Sequence, residues 1–182
     1  TQVARELISQ EDVHMLTGSY SSAVALAINE VANEESVPYV SGPGSQTFSG
    51  EKCQPYGFAL NITTSGTGRA MALYALENLG ESFYTLTHNY VAGQTGRDAT
   101  HNIIEENGGT IEGDSLVDLG QTDMSSELTS AVESGADVLI TNVYGDDLAT
   151  VIGQAAEFGV FEEMEVGASS LDLAAILDIE LG

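Results

Sequence analysis

The chain has 182 residues, 42% hydrophobic and 18% charged, which is enough apolar material for a core and rules out a disordered or fibrous chain. Its 28 Asp and Glu face only 4 Lys and Arg (Arg5, Lys52, Arg69 and Arg97), a formal net charge of -24 that excludes binding to nucleic acid and to anionic lipid, both of which need clustered cations. The acid is spread along the length, in Glu34-Glu35, Glu105-Glu106, Asp146-Asp147 and Glu162-Glu163, and molar salt with a Debye length of about 3 Å relieves its self-repulsion, so the composition indicates a protein of an extreme halophile.

Helical and strand patterns alternate from the start. Residues 3–10 read as a helix, 13–17 as a short apolar strand that packs His14 into the core, 22–33 as an Ala-rich helix and 38–41 as a second strand. A loop dense in turn residues, 42–50, precedes a third apolar run at 56–60. The spacing then predicts helix 66–78, strand 82–87, helix 95–107 and strand 110–117, followed by helix 125–134 and the most apolar strand, 137–141. Helix 147–158, strand 164–167 and helix 171–177 close the series. Strands separated by helices of about 10 to 15 residues are βαβ units, so the fold class is α/β, two Rossmann-like lobes with mainly parallel sheets flanked by helices.

Segment 61–66 reads as the crossover between the lobes, which assigns 1–61 to part of lobe 1 and 62–182 to most of lobe 2. Three strands make a poor sheet alone, the chain opens inside a helical pattern without a capping signal, and it stops after a helix with no closing strand. Lobe 1 is therefore expected to be incomplete and the sequence to be part of a longer protein. A single cysteine, Cys53, allows no disulfide within the chain. No apolar run reaches the roughly 18 residues of a membrane span, and Thr1 does not begin a signal-peptide pattern. Asn61-Ile62-Thr63 matches a glycosylation sequon, a pattern frequent by chance.

In parallel α/β sheets, ligands sit beyond the carboxyl ends of the strands, where helix N-termini point their free N–H groups. After strand 13–17 comes Gly18-Ser19-Tyr20-Ser21-Ser22, opening a helix. Its serines read equally well as a receptor for a carboxylate or other anion and as a plain N-cap. The other strand ends are small and polar: Ser41-Gly42, His88-Asn89-Tyr90, Asn142-Val143-Tyr144-Gly145 and Gly167-Ala168-Ser169-Ser170. Tyr90 and Tyr144 can each wall a cleft with an apolar ring and one hydrogen-bonding oxygen, or sit as ordinary loop-edge aromatics.

Catalytic and metal patterns are missing from the sequence. His14, His88 and His101 have no metal-ligand spacing, and there is no H-E-x-x-H, nucleophile elbow or EF-hand loop. Gly66-Thr67-Gly68-Arg69 falls short of a dinucleotide or phosphate loop. No enzyme activity, cofactor or metal is expected.

The ordered motifs carry a resemblance. Glu6-Leu7-Ile8, Val13 to Thr17 and Gly18-Ser19-Tyr20-Ser21-Ser22-Ala23-Val24-Ala25-Leu26-Ala27-Ile28 resemble the first lobe of type I periplasmic-binding-protein-like receptors for branched-chain amino acids, amides and urea. Asn89-Tyr90-Val91-Ala92-Gly93 resembles that family's D-Y-x-x-G. Gly108-Gly109, Asp123-Met124-Ser125-Ser126-Glu127-Leu128, Ser134-Gly135-Ala136-Asp137-Val138 and Gln154-Ala155-Ala156-Glu157-Phe158-Gly159 continue its order over nearly the whole chain.

The resemblance implies an extracellular, cell-surface solute-binding protein that closes two lobes over a small polar ligand and delivers it to the permease subunits of an ABC importer, tethered through a lipoprotein segment ahead of residue 1. It implies that Ser22 and the Ala23 amide hold the ligand's carboxylate or equivalent head, that Ser45 assists, and that Tyr90 and Tyr144 close over it. Where amino-acid-binding members carry an acid for the ligand's ammonium group, this sequence has Ser169, with Ser170 beside it and Asp172 three residues on. A buried ammonium without a carboxylate partner is costly, so the departure argues against an α-amino acid ligand. The family also implies a cysteine elsewhere to pair with Cys53. The same lobes serve as ligand-sensing domains of receptors and regulators, which what flanks the segment would distinguish.

Overall fold

The computed structural model describes residues 1–19, 21–60 and 62–171, and divides the chain into unit 1, Thr1–Thr63, and unit 2, from Thr64 onward. The predicted helix at 171–177, apart from Leu171, lies outside the described residues, as do Tyr20 and Asn61.

Unit 1 runs α1 (Gln2–Gln10), β1 (Leu16–Thr17), α2 (Ser22–Glu34), β2 (Tyr39–Ser41), a single 3-10 turn at Gln46–Phe48 and β3 (Gly57–Ala59). Its strands pair in parallel in the order β1-β2-β3. Ala4, Leu16, Ala25, Val31, Ala32, Tyr39 and Phe48 form its core, with the Tyr39 and Phe48 rings edge to face at 6.0 Å. The first strand is much shorter than its apolar run. Asp12 takes a positive φ of 52° and breaks the extended path, and only Leu16 and Thr17 reach β2. His14 consequently lies outside the strand and is exposed, not packed in the core as its apolar neighbours predicted.

Unit 2 comprises α3 (Thr64–Asn78), β4 (Ser82–His88), α4 (Val91–Glu106), β5 (Thr110–Val117), α5 (Ser125–Glu133), β6 (Val138–Asn142), α6 (Asp146–Glu157), α7 (Val160–Glu163) and β7 (Glu165–Ala168). All pairings are parallel, in the order β5-β4-β6-β7. The pleat sends alternate residues to opposite faces. Phe83, Val138 and Ile140 pack with Ala72 and Ala75 of α3 and Ile103 and Ile104 of α4. Tyr84, Leu86, Leu139 and Val143 pack with Leu128, Leu148 and Val151 of α5 and α6. Asp137 fixes the sheet's entry, its Oδ2 accepting from the Glu81 and Ser82 amides at 3.1 and 3.0 Å while its own amide donates to Ser82 Oγ at 2.9 Å.

Helix α4 begins four residues before the 95–107 pattern, because the Asn89-Tyr90 turn serves as its entry and Gly93 and Gly96 lie inside it. At Gly68 and Gly96 α3 and α4 come so close that a methyl group on Gly68 would lie 2.6 Å from the Gly96 carbonyl oxygen. The short α7, with two adjacent glutamates, carried too little periodicity to be read from the sequence.

Candidate functional site

In unit 1 the carboxyl ends of β1 and β2 meet at the turn Gly18-Ser19, whose positive φ values of 114° and 63° are unfavourable for Ser. Two hydroxyls hold this turn from beneath. Tyr39 Oη lies 2.8 Å from the Gly18 carbonyl and 3.0 Å from Ser41 Oγ, and Ser41 Oγ lies 2.7 and 2.9 Å from the carbonyls of Gly18 and Ser19. Burial raises the Tyr39 phenol above its ordinary pKa, keeping it a neutral donor. Above the braced turn opens a cavity of about 270 Å³ lined by Thr17, Gly18, Ser19, Ser41, Gly42 and Leu60, among others. That is the size of a small metabolite's polar end.

Ser22 is the first residue of α2 and Ala23 is exposed beside it. Ser22 and Ser45 are each 1% exposed and are joined, the Ser45 amide donating to Ser22 Oγ at 3.0 Å, while Ser45 Oγ accepts from the Thr47 amide at 3.2 Å. Both hydroxyls thus act as acceptors inside the protein and keep one proton each to donate. Ser21 occupies the N-cap position without a side-chain cap bond.

In unit 2 the structure gathers Tyr90 and Tyr144 around a residue that sequence reasoning left unassigned. His88, at the end of β4, is 1% exposed; its ring lies 5.6 Å from that of Tyr90 and 6.0 Å from that of Tyr144. The Tyr144 amide donates to His88 Nδ1 at 3.3 Å, which places the imidazole proton on Nε2, facing Asp147 Oδ2 at 2.9 Å. Asp147 Oδ2 also accepts from the Gly120 amide at 2.9 Å. Burial lowers the His88 pKa, opposed by the hydrogen bond and charge of Asp147, so the neutral tautomer that receives the Tyr144 amide is favoured.

The other face of the same edge is polar as well. Thr87, Asn142 and Ser169 continue by period two from Thr85, Ile140 and Gly167, and so belong to the face covered by α3 and α4. Thr87 is paired opposite Asn142 across β4 and β6, and the Ser169 amide bonds to the Thr141 carbonyl at 3.0 Å at the end of β7. Their relative exposures are 0%, 0% and 6%. Thr87 Oγ1, Asn142 Oδ1 and Nδ2, and Ser169 Oγ have no hydrogen-bond partner among the described residues. Chain order also points here. From β4 the chain passes to β5 on one side and then to β6 on the other, so the crevice between β4 and β6 is a topological switch point, where open α/β sheets bind ligands. Ser169 was predicted; Thr87 and Asn142 were not.

No group of three or more His, Cys, Asp or Glu among the described residues could hold a metal ion. Cys53 is exposed.

The family model described as periplasmic binding protein matches residues 1–182. The chain belongs to the periplasmic binding protein family. Its fold matches a periplasmic binding protein from Burkholderia mallei at 28% identity and a TM-score of 0.93, covering 99% of this chain and 48% of that one. A leucine binding protein from Thermotoga maritima matches at 22% identity and a TM-score of 0.85 over 99% of this chain and 51% of that one. A solute binding protein of an ABC transporter from Rhodopseudomonas palustris, in complex with 3,4-dihydroxybenzoic acid, matches at 22% identity and a TM-score of 0.85 over 92% and 46% of the two chains. This binding-protein chain therefore spans about half the length of the solved relatives it matches. No curated protein matches it.

Proposed function

We propose that this protein is the extracellular solute receptor of an ABC importer, binding a small polar ligand and handing it to the permease. The observation that carries the reading is the family match over all 182 residues, joined to two sheets that each present a small, polar carboxyl edge. In unit 1 the amide of exposed Ala23 in the first turn of α2, next to Ser22, which is tied to Ser45, suits a carboxylate or similar acceptor head. In unit 2 Tyr90 and Tyr144, whose rings pack against His88, offer aromatic surface to the ligand's body. Ser169 brings no charge to the position from which the family's amino-acid receptors reach an ammonium group, so the ligand we favour is an amide or a carboxylic acid. The relatives that bind leucine and 3,4-dihydroxybenzoic acid supply the two ends of the panel to test.

Isothermal titration calorimetry of the full-length gene product in molar KCl against leucine, isobutyramide, urea, isobutyrate and 3,4-dihydroxybenzoate tests this. Micromolar or tighter binding of an amide or acid is expected. A folded protein silent toward the whole panel would overturn the reading in favour of a ligand-sensing domain.

A further inference from the structure

We infer that His88 is a positioning residue for ligand capture: its imidazole, bare at Nδ1, sets the place of Tyr144, and this brace is released when the ring takes up a second proton. The inference rests on the solute-receptor reading, in which Tyr144 meets the ligand, and gives control of that contact to a buried residue behind it.

His88 holds the backbone of both tyrosines. Its carbonyl oxygen accepts the Tyr90 amide at 2.8 Å, and its Nδ1 accepts the Tyr144 amide at 3.3 Å. Only the second hold can titrate. A backbone N–H always donates, so Nδ1 must be bare to receive it, and the proton of the neutral ring lies on Nε2, 2.9 Å from Asp147 Oδ2. The ring has little room to turn away. His88 is 1% exposed, α4 lies so close that a methyl group on Gly93 would collide with the His88 carbonyl oxygen and Cβ, and Asp147 is fixed in turn by the Gly120 amide. Between the end of β6 at Asn142 and the start of α6 at Asp146 the chain bends through Gly145 at a φ of 67°, and the Tyr144 amide is where His88 grips that bend. A proton on Nδ1 would set one N–H against another and turn the attraction into repulsion. The charged group facing the ring is Asp147 of α6; Tyr90, at the entry of α4, and Tyr144 face it with their rings, and Asp118 beyond β5 is engaged by Asn89 Nδ2 at 3.0 Å. Burial outweighs the pull of Asp147 and lowers the His88 pKa, so the brace is intact near pH 7 and is lost on acidification below about 6.5.

The test titrates leucine, isobutyramide, urea, isobutyrate and 3,4-dihydroxybenzoate into the full-length protein in molar KCl at pH 7 and pH 5. The proteins are wild type, His88→Asn, His88→Leu and Asp147→Asn, each with its unliganded thermal midpoint at both pH values. Asn puts an acceptor that does not titrate where Nδ1 lies, and Leu puts none. For the compound that wild type binds, His88→Asn should stay within threefold of wild type at pH 7 and keep that affinity at pH 5, where wild type weakens at least threefold. His88→Leu, which leaves the Tyr144 amide without its acceptor, should bind at least tenfold more weakly at pH 7. Asp147→Asn removes the charge that favours the imidazolium, and should keep its pH 7 affinity and lose less than wild type at pH 5. Any titration of the compound itself is common to all four proteins and cancels. If His88→Leu does not fold, wild type against His88→Asn decides; if neither His88 variant folds, Asp147→Asn decides. A folded His88→Asn that weakens with acid as much as wild type, a folded His88→Leu that binds as wild type does, or an Asp147→Asn that follows the wild-type profile overturns the inference while leaving the receptor reading intact. Silence of a folded wild type toward every compound overturns the receptor reading itself.

Discussion

Replacing Gly68 by Ala tests whether the α3–α4 crossing is as tight as its geometry indicates. The new methyl group would lie 2.6 Å from the carbonyl oxygen of Gly96 and 2.8 Å from Thr100 Oγ1. That oxygen belongs to helix backbone and already accepts the Thr100 hydroxyl at 3.0 Å, so it cannot swing aside. The helices must part by about 0.8 Å to reach an ordinary 3.4 Å contact. Overpacking of this kind costs about 1–3 kcal/mol, and loosening the Thr100 bond adds about 1 kcal/mol. Ala in a helix interior recovers about 1 kcal/mol relative to Gly. The net expectation is a loss of about 1–3 kcal/mol, or a fall in Tm of roughly 2–12 °C for a chain of this length. Gly153 is the control: exposed on α6, where a methyl group meets nothing within 4 Å, it should gain about 0.5–1 kcal/mol on becoming Ala. Thermal unfolding of both variants in molar KCl, followed by circular dichroism, measures the difference. A Gly68→Ala protein melting at or above wild type, or a shift of the same sign in both variants, would refute the reasoning.

Other perturbations read the remaining features. Burial depresses the His88 and His101 pKa values in the folded protein, so the unfolded chain binds more protons as pH falls below about 6.5; stability present above that pH is lost on acidification, at up to about 1.4 kcal/mol per pH unit for each proton. His88→Gln, which keeps a donor toward Asp147, should remove one proton from that slope in urea titrations at pH 5 to 7, and an unchanged slope would dismiss the depression of the His88 pKa by burial. Tyr144→Ala and Ser22→Ala are each expected to weaken ligand binding at least tenfold by calorimetry; Ser22→Ala also strips the Ser45 amide of its acceptor and should lose about 1–3 kcal/mol of stability. Unchanged affinity in both would remove these residues from the site. With a net charge of -24, the protein should unfold on dialysis from molar KCl to about 0.1 M, and a Tm indifferent to salt would defeat the halophilic reading.

The alternation of helices and strands was legible because most elements of unit 2 carry a local signal: β6 opens on the apolar run Val138-Leu139-Ile140, and α4 through α6 each repeat apolar residues at helical spacing. Boundaries failed where local sequence points two ways. Val13 to Met15 are apolar enough for a strand, yet Asp12 turns the chain before they can pair, leaving His14 in solvent. Val91 to Gln94 looked like a strand-end loop because Gly93 weakens the helical signal, although helix α4 needs that glycine beside the His88 carbonyl. Of the candidate site, Tyr90, Tyr144, Ser22, Ser45 and Ser169 came from strand-end positions and a family resemblance. The brace did not, because His88 and Asp147 are 59 residues apart and nothing local joins them. Thr87 stayed hidden, and Asn142 was seen only as a polar strand end, for another reason: alternation tells which residues share a face, but only the placement of α3 and α4 tells which face is covered.

Two neighbours on β4 have opposite duties. Thr87 faces α3 and α4 with its hydroxyl unmatched, and His88 faces α6 and holds the Tyr144 backbone. The pleat alone assigns these roles, so inserting or deleting one residue between Ser82 and Thr87 would exchange them, burying an imidazole under α4 and leaving a threonine to brace both tyrosines. This strand can therefore accept exchanges that conserve volume but no change of length, and related receptors should differ at the Thr87 position far more readily than in the number of residues that lead up to it.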